Sequence, residues 1–155
     1  MNKKLIFAII TILVLIVAGG IFFGFARKGT LPTGEVKIGE QVFKVVVAKD
    51  MMSRAQGLSG REKLEEGMGM FFIFDGFGKY GFWMKDMKFA IDIVWISGNK
   101  IVGFQENAQP EPTKTIFGLT TYYPPEEADK VLELNTGAVA KYGFKVGDVV
   151  EFAGE

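Results

Sequence analysis

One stretch constrains this chain more than any other: the 21 residues from Leu5 to Phe25 carry no charge, and Thr11 is the only clearly polar side chain among them. As a helix rising about 1.5 Å per residue, the stretch reaches roughly 31 Å, enough to cross a hydrocarbon core of about 30 Å. A core helix of a small domain is shorter and keeps a polar face, and this one is apolar all round. The expectation is a single transmembrane anchor at residues 5–25, with a short tail at 1–4 and a linker at 26–34. A cleaved signal peptide is the competing reading. It needs a shorter apolar core, and Gly24-Phe25-Ala26 makes a poor cleavage site.

Lys3 and Lys4 precede the span, and Arg27 and Lys28 come after it. The positive-inside rule therefore favours a cytoplasmic N-terminus only slightly. A signal-anchor with almost nothing before it delivers the downstream domain to the far side of the membrane. The expected localisation is the cell membrane, single-pass, with the C-terminal domain (35–155) outside the cytoplasm. The whole chain has 18 basic and 18 acidic residues. Four of the basic ones flank the span and every acidic one lies beyond residue 30, so the outer domain carries about −4. That balance speaks against nucleic acid as a partner, because its binders present a basic surface.

The chain has neither cysteine nor histidine. It therefore has no disulfides, no zinc site of the usual kind and no Ser-His-Asp or Cys-His nucleophile. No cofactor is implied. Beyond the linker, β-branched residues alternate with turn residues. Val36–Ile38 and Val42–Val47 read as a hairpin around Gly39-Glu40. Asp50 or Ser53 caps a short helix ending near Gly57, and a second helical turn is expected from Arg61 to Glu65. Met70–Phe74 reads as a strand buried on both faces. Asp75–Gly78 reads as a turn and Gly81–Met84 as a strand. Ile91–Ile96 and Ile101–Glu106 form a hairpin around Gly98-Asn99. Residues 107–125 read as irregular, Val131–Leu134 as a strand, Gly137–Tyr142 as one helical turn and Val149–Phe152 as the last strand. The fold class expected is mainly β: a sandwich or small barrel with one or two short helices.

The stretch from Ser53 to Asp92 resembles a known bacterial and archaeal family, the domain of unknown function 192. The residues that carry the resemblance are Arg54, Gly57-Leu58, Arg61, Gly69–Phe74, Phe82-Trp83-Met84-Lys85 and Ile91-Asp92-Ile93. Weaker matches lie at Ala108–Pro110, Val131-Leu132-Glu133-Leu134, Gly137, Gly143 and Lys145–Asp148. The sequence departs from the family where Asp86-Met87 stands in place of the usual Asn-Thr, and where Phe89-Ala90 precedes Ile91-Asp92 in place of the usual Ile-Pro. The resemblance implies a compact, mostly β domain resembling a jelly roll, often behind a signal or anchor, and no function.

Four residues stand out as ligand-binding candidates: Arg54, Trp83, Lys85 and Asp92. Trp83 offers an aromatic wall with a polar edge. Arg54 and Lys85 offer cations for an anionic group. Asp92 interrupts an apolar strand, and the expectation is that it orients Lys85 or Arg54 in an ion pair at the rim of an aromatic pocket. The alternative for the same residues is a structural pair or an outward-facing acid. Aromatics crowd between Phe71 and Phe104, and most of them read as core. Six methionines lie between Met51 and Met87. Met84-x-x-Met87 beside Trp83 admits a Cu(I) site, although methionine also fills core gaps. Glu65-Glu66 and Glu126-Glu127 are the paired carboxylates that a hydrolase acting on an envelope or extracellular substrate would need. The function expected is a non-catalytic binding or interaction module for a small molecule, glycan or protein. A carboxylate-dependent hydrolase and a Met-based copper protein are the alternatives.

Overall fold

The computed structural model describes residues 31–154. The expected anchor at 5–25 lies outside them, and no helix among the described residues is long and apolar enough to cross a membrane. The described chain runs β1 (Thr33–Ile38), β2 (Gln41–Ala48), α1 (Met51–Gln56), β3 (Met68–Gly78), β4 (Phe82–Trp83), β5 (Ile91–Ser97), β6 (Lys100–Ala108), β7 (Thr121–Tyr122), β8 (Ala128–Asn135), α2 (Ala138–Tyr142) and β9 (Val150–Gly154). The domain is mainly β with two short helices, as the sequence implies.

Seven strands form one sheet in the order β6-β5-β8-β3-β2-β1-β9. Neighbours are antiparallel except β2 and β3, which run parallel. The two edges of the sheet meet. Lys100 of β6 bridges Val149, and Val150 N donates to Asn99 O at 2.9 Å. The sheet thus curls on itself as a small barrel instead of splitting into the two facing layers of a sandwich. All seven strands fill its interior, through Val36, Phe43, Phe71, Val94, Ile101, Leu132 and Val150 among others.

A second apolar layer covers the outer face of β3, β5 and β8. Met70, Phe72, Ile93, Trp95 and Val131 point into it, and Leu58, Phe82, Met84 and Met87 close over them. A two-stranded ribbon of β4 and β7 belongs to this cover. Strands buried on both faces need apolar residues at every position. This accounts for the unbroken run Met70–Phe72 and for Ile91–Ile96, which only Asp92 interrupts. Met84 and Met87 are both buried here, as gap-fillers among aromatic and aliphatic groups.

The crossover between parallel β2 and β3 holds α1. Asp50 caps it, its carboxylate accepting from Met52 N at 3.0 Å and Ser53 N at 2.9 Å. Ser53 Oγ completes a capping box, and Gly57 ends the helix at φ 52°. The second helical turn expected at Arg61–Glu65 is absent. Of that stretch only Leu64 packs on the core, and so short a helix has no stability of its own. The turn expected at Asp75–Gly78 is instead a bulged continuation of β3, whose register with β8 shifts between Ile73 and Gly78. The strand expected over Gly81–Met84 shrinks to Phe82–Trp83.

Candidate functional site

The outer layer does not close completely. Between α1 with its following loop, β3 and β4 lies a cavity of about 250 Å³. Arg54, Leu58, Phe72, Phe74, Tyr80, Phe82, Trp83, Met87 and Glu133 are among its walls. The aromatic residues support one another. Phe74 stacks on Tyr80 with ring centres 3.8 Å apart, and Phe82 stands perpendicular to Phe72 at 5.1 Å. Trp83 is 47 % exposed, whereas Phe72 and Phe82 are buried.

Arg54 projects from α1 over the ring of Phe74, 5.1 Å from its centre. Its Nη1 donates to Lys49 O at 2.9 Å and Ile73 O at 2.8 Å, and Nη2 lies 3.8 Å from the exposed carboxylate of Asp75. Behind α1, Ser59 Oγ donates to Lys85 O at 2.7 Å, and Gly60 N donates to Asp86 O at 2.9 Å. These bonds fix the loop wall against the 84–88 turn. Asp86 holds φ 55°, a left-handed conformation that Asn and Asp accept more readily than most residues. The departure from the family's usual Asn therefore preserves the turn.

The most unusual group is Glu133. It lies on the outer face of β8, in register with Met70 of β3 and Ile93 of β5. It is 6 % exposed, and its Oε2 has no hydrogen-bond partner among the described residues. Burial alone pushes its carboxyl up to about 8. A buried polar group without a partner costs on the order of 1–3 kcal/mol, and more when charged. Such a group at the floor of a cavity is a functional-site candidate on physical grounds.

The structure treats the four sequence candidates differently. Arg54 and Trp83 share the cavity with Glu133. Lys85 lines an adjoining cavity with Asp86, Lys88, Glu111 and Lys114, and its ammonium pairs with Asp86 at 2.6 Å. Asp92 is fully buried and faces neither cavity. Its two oxygens accept from Asn107 N and Val139 N, both at 2.9 Å. The expected pairing of Asp92 with Lys85 or Arg54 is therefore not formed. Strand alternation places Asp92 correctly with Val94, but that face is the barrel interior. There the acid ties the first turn of α2 to the end of β6. Glu65, Glu66, Glu126 and Glu127 lie outside the aromatic cavity, where Glu133 is the one carboxylate among the described lining residues. Sequence reasoning passes over Glu133 because Val131–Leu134 reads only as a strand, with nothing local to show that both of its faces are covered. The available signal is a lone acid in a strand whose sheet neighbours are apolar on both faces.

Comparison with known proteins places these features in a wider set. The family model for the domain of unknown function 192 (DUF192, "Uncharacterized ACR") matches residues 34–152. Among solved structures, the chain is similar to a candidate transcription regulator from Sinorhizobium meliloti 1021, with 27% identity, a TM-score of 0.68, and coverage of 78% of this chain and 92% of that one. It is also similar to a protein of unknown function from Novosphingobium aromaticivorans DSM 12444, with 26% identity, a TM-score of 0.68, and coverage of 81% and 89%. No curated protein matches the sequence.

Proposed function

This chain belongs to the domain of unknown function 192 family, and we propose that its β domain is a non-catalytic binding module that takes a small organic molecule into the cavity between Arg54, Trp83 and Glu133. We further propose that the module sits outside the cytoplasm, held to the membrane by residues 5–25. The observation that carries the binding role is the unpartnered oxygen of Glu133 inside an aromatic-walled cavity. Ligand sites are mostly apolar concavities with a few convergent polar groups, and the volume here suits a ligand smaller than a typical drug. The hydrolase alternative draws no support from this site, because a carboxylate mechanism needs a second acid about 5–10 Å away. The copper alternative draws none either, since Met84 and Met87 pack as gap-fillers among aromatic and aliphatic groups of the outer layer. The Sinorhizobium relative is described as a candidate transcription regulator; direct DNA binding by this chain would need a basic surface that a balance of about −4 does not supply.

The test is a thermal-shift screen of small organic compounds on the full chain in lipid nanodiscs. A ligand of the native state raises the melting temperature by mass action. The expected hits lose at least tenfold in affinity with Trp83→Ala. A screen that yields no hits, or whose hits bind Trp83→Ala as well as the native protein, overturns the assignment.

A further inference from the structure

We propose that the ligand is an organic cation, a protonated amine or other ammonium carried on a small apolar body, with its charge against Glu133 and its body among Phe72, Phe82 and Trp83. This rests on reading the cavity as a ligand site and adds the chemical class of the occupant.

Three observations converge on a cation. The first is the state of Glu133. A buried carboxylate is tolerated when a cation compensates it. Here the in-register neighbours are Met70 and Ile93, and Oε2 has no partner among the described residues. The second is the aromatic lining. Ring faces carry negative charge and attract cations, so an aromatic wall around an acid favours ammonium groups and disfavours anions. The cluster already holds one cation in this way, since Arg54 sits over Phe74. The third is that Arg54 does not serve Glu133. Its guanidinium is engaged by two carbonyls and Asp75, and desolvation is the sole cause of the raised Glu133 carboxyl. A place for a second positive charge is therefore left beside the acid.

The ionisable groups lining the cavity are Arg54 from α1, Tyr80 from the loop after β3, and Glu133 from β8. The remaining described lining residues, from α1 to β4 and Met87, carry none. Lys85 and Asp86 compensate each other in the adjoining cavity. Glu133 thus governs the proton balance of binding. With its carboxyl up at about 8, it is mostly protonated at neutral pH. An ammonium ligand must displace that proton, which passes to solvent while the ligand keeps its own. Affinity then rises about tenfold per pH unit up to pH 8 and levels off above it.

The test is calorimetric titration of the full chain in lipid nanodiscs with benzylammonium and benzyl alcohol, two probes with the same body and different charge. Empty nanodiscs correct for partitioning. We expect benzylammonium to bind at least tenfold more tightly than benzyl alcohol at pH 8, and to lose about tenfold in affinity between pH 7 and pH 6. Heats measured in phosphate and Tris should reveal nearly one proton released per ligand at pH 7. Glu133→Gln should abolish the amine preference and the pH slope. If benzyl alcohol binds as tightly as the amine at pH 8, or if Glu133→Gln keeps the preference, the cavity remains a ligand site and the cation assignment fails. If neither probe binds, the reading of the cavity fails as well.

Discussion

Replacing Glu133 by Gln isolates the cost of burying one acid. The side chains have nearly the same shape, and only the acid can ionise. In the unfolded chain the carboxyl titrates near 4.5, and in the folded protein near 8. Between those values the native state holds a proton that the unfolded chain has released. Stability therefore falls as pH rises from 4.5 through 8 and is flat above. Each tenfold change in proton affinity is worth about 1.4 kcal/mol, which sets a ceiling of about 5 kcal/mol above pH 8 and about 3 kcal/mol at pH 7. Partial water entry reduces the figure, as it does for buried ions in general. Glu133→Gln should thus be neutral near pH 4.5 and stabilising by on the order of 2–4 kcal/mol at pH 8.5. The solved relatives are little more than this domain, which covers 92% and 89% of their lengths. Residues 31–155 therefore serve as the unfolding unit, and urea curves read by tryptophan fluorescence give the free energies. A pH-independent effect, or destabilisation by Gln across the range, would mean that Glu133 has a structural partner, and the reasoning would be refuted.

Met70 is wholly buried in the outer layer. Met70→Ala should cost on the order of 2–5 kcal/mol in the same assay, and an unchanged stability with loss of Cu(I) binding would favour the metal reading. Asp92→Ala strands the buried amide of Val139 and the part-buried amide of Asn107, and should cost about 2–4 kcal/mol. Lys85→Met removes only a half-exposed pair and should cost about 0–1 kcal/mol. Equal losses in these two variants would contradict the separate environments described for them. The full-length protein should stay with membranes through an alkaline wash, and external protease should cut the β domain in intact spheroplasts. A soluble mature form beginning near Arg27 would show a cleaved signal instead.

The run Met70–Phe74 announces a doubly buried strand because no polar residue relieves it, and Met70, Phe71 and Phe72 are buried. Asp50, Ser53 and Gly57 announce α1 because capping is local chemistry, set within three or four residues. The acids were harder to place for the opposite reason. Asp92 is satisfied by amides 15 and 47 positions away in sequence. Glu133 shares its cavity with Leu58, Phe82 and Met87, which arrive from other elements. Alternation tells which residues share a face of a strand. It does not tell whether that face looks into the barrel, into water or beneath a second layer. The missing turn of helix at Arg61–Glu65 has the same origin, since tertiary packing decides whether so short a segment coils.

The single parallel pairing of β2 with β3 has an evolutionary consequence. Antiparallel neighbours can be joined by a two-residue hairpin, whereas a parallel pair requires a crossover of a dozen or more residues. Residues 49–67 meet that requirement outside the barrel, and one side of the aromatic cavity is made from them. Much of the cavity wall is thus carried by a connection whose length and composition the barrel interior does not dictate. Substitutions or insertions in the crossover can reshape that wall while the seven-stranded frame and Glu133 stay fixed. Under the binding role proposed above, ligand preference can then change through the crossover with little effect on the stability of the barrel.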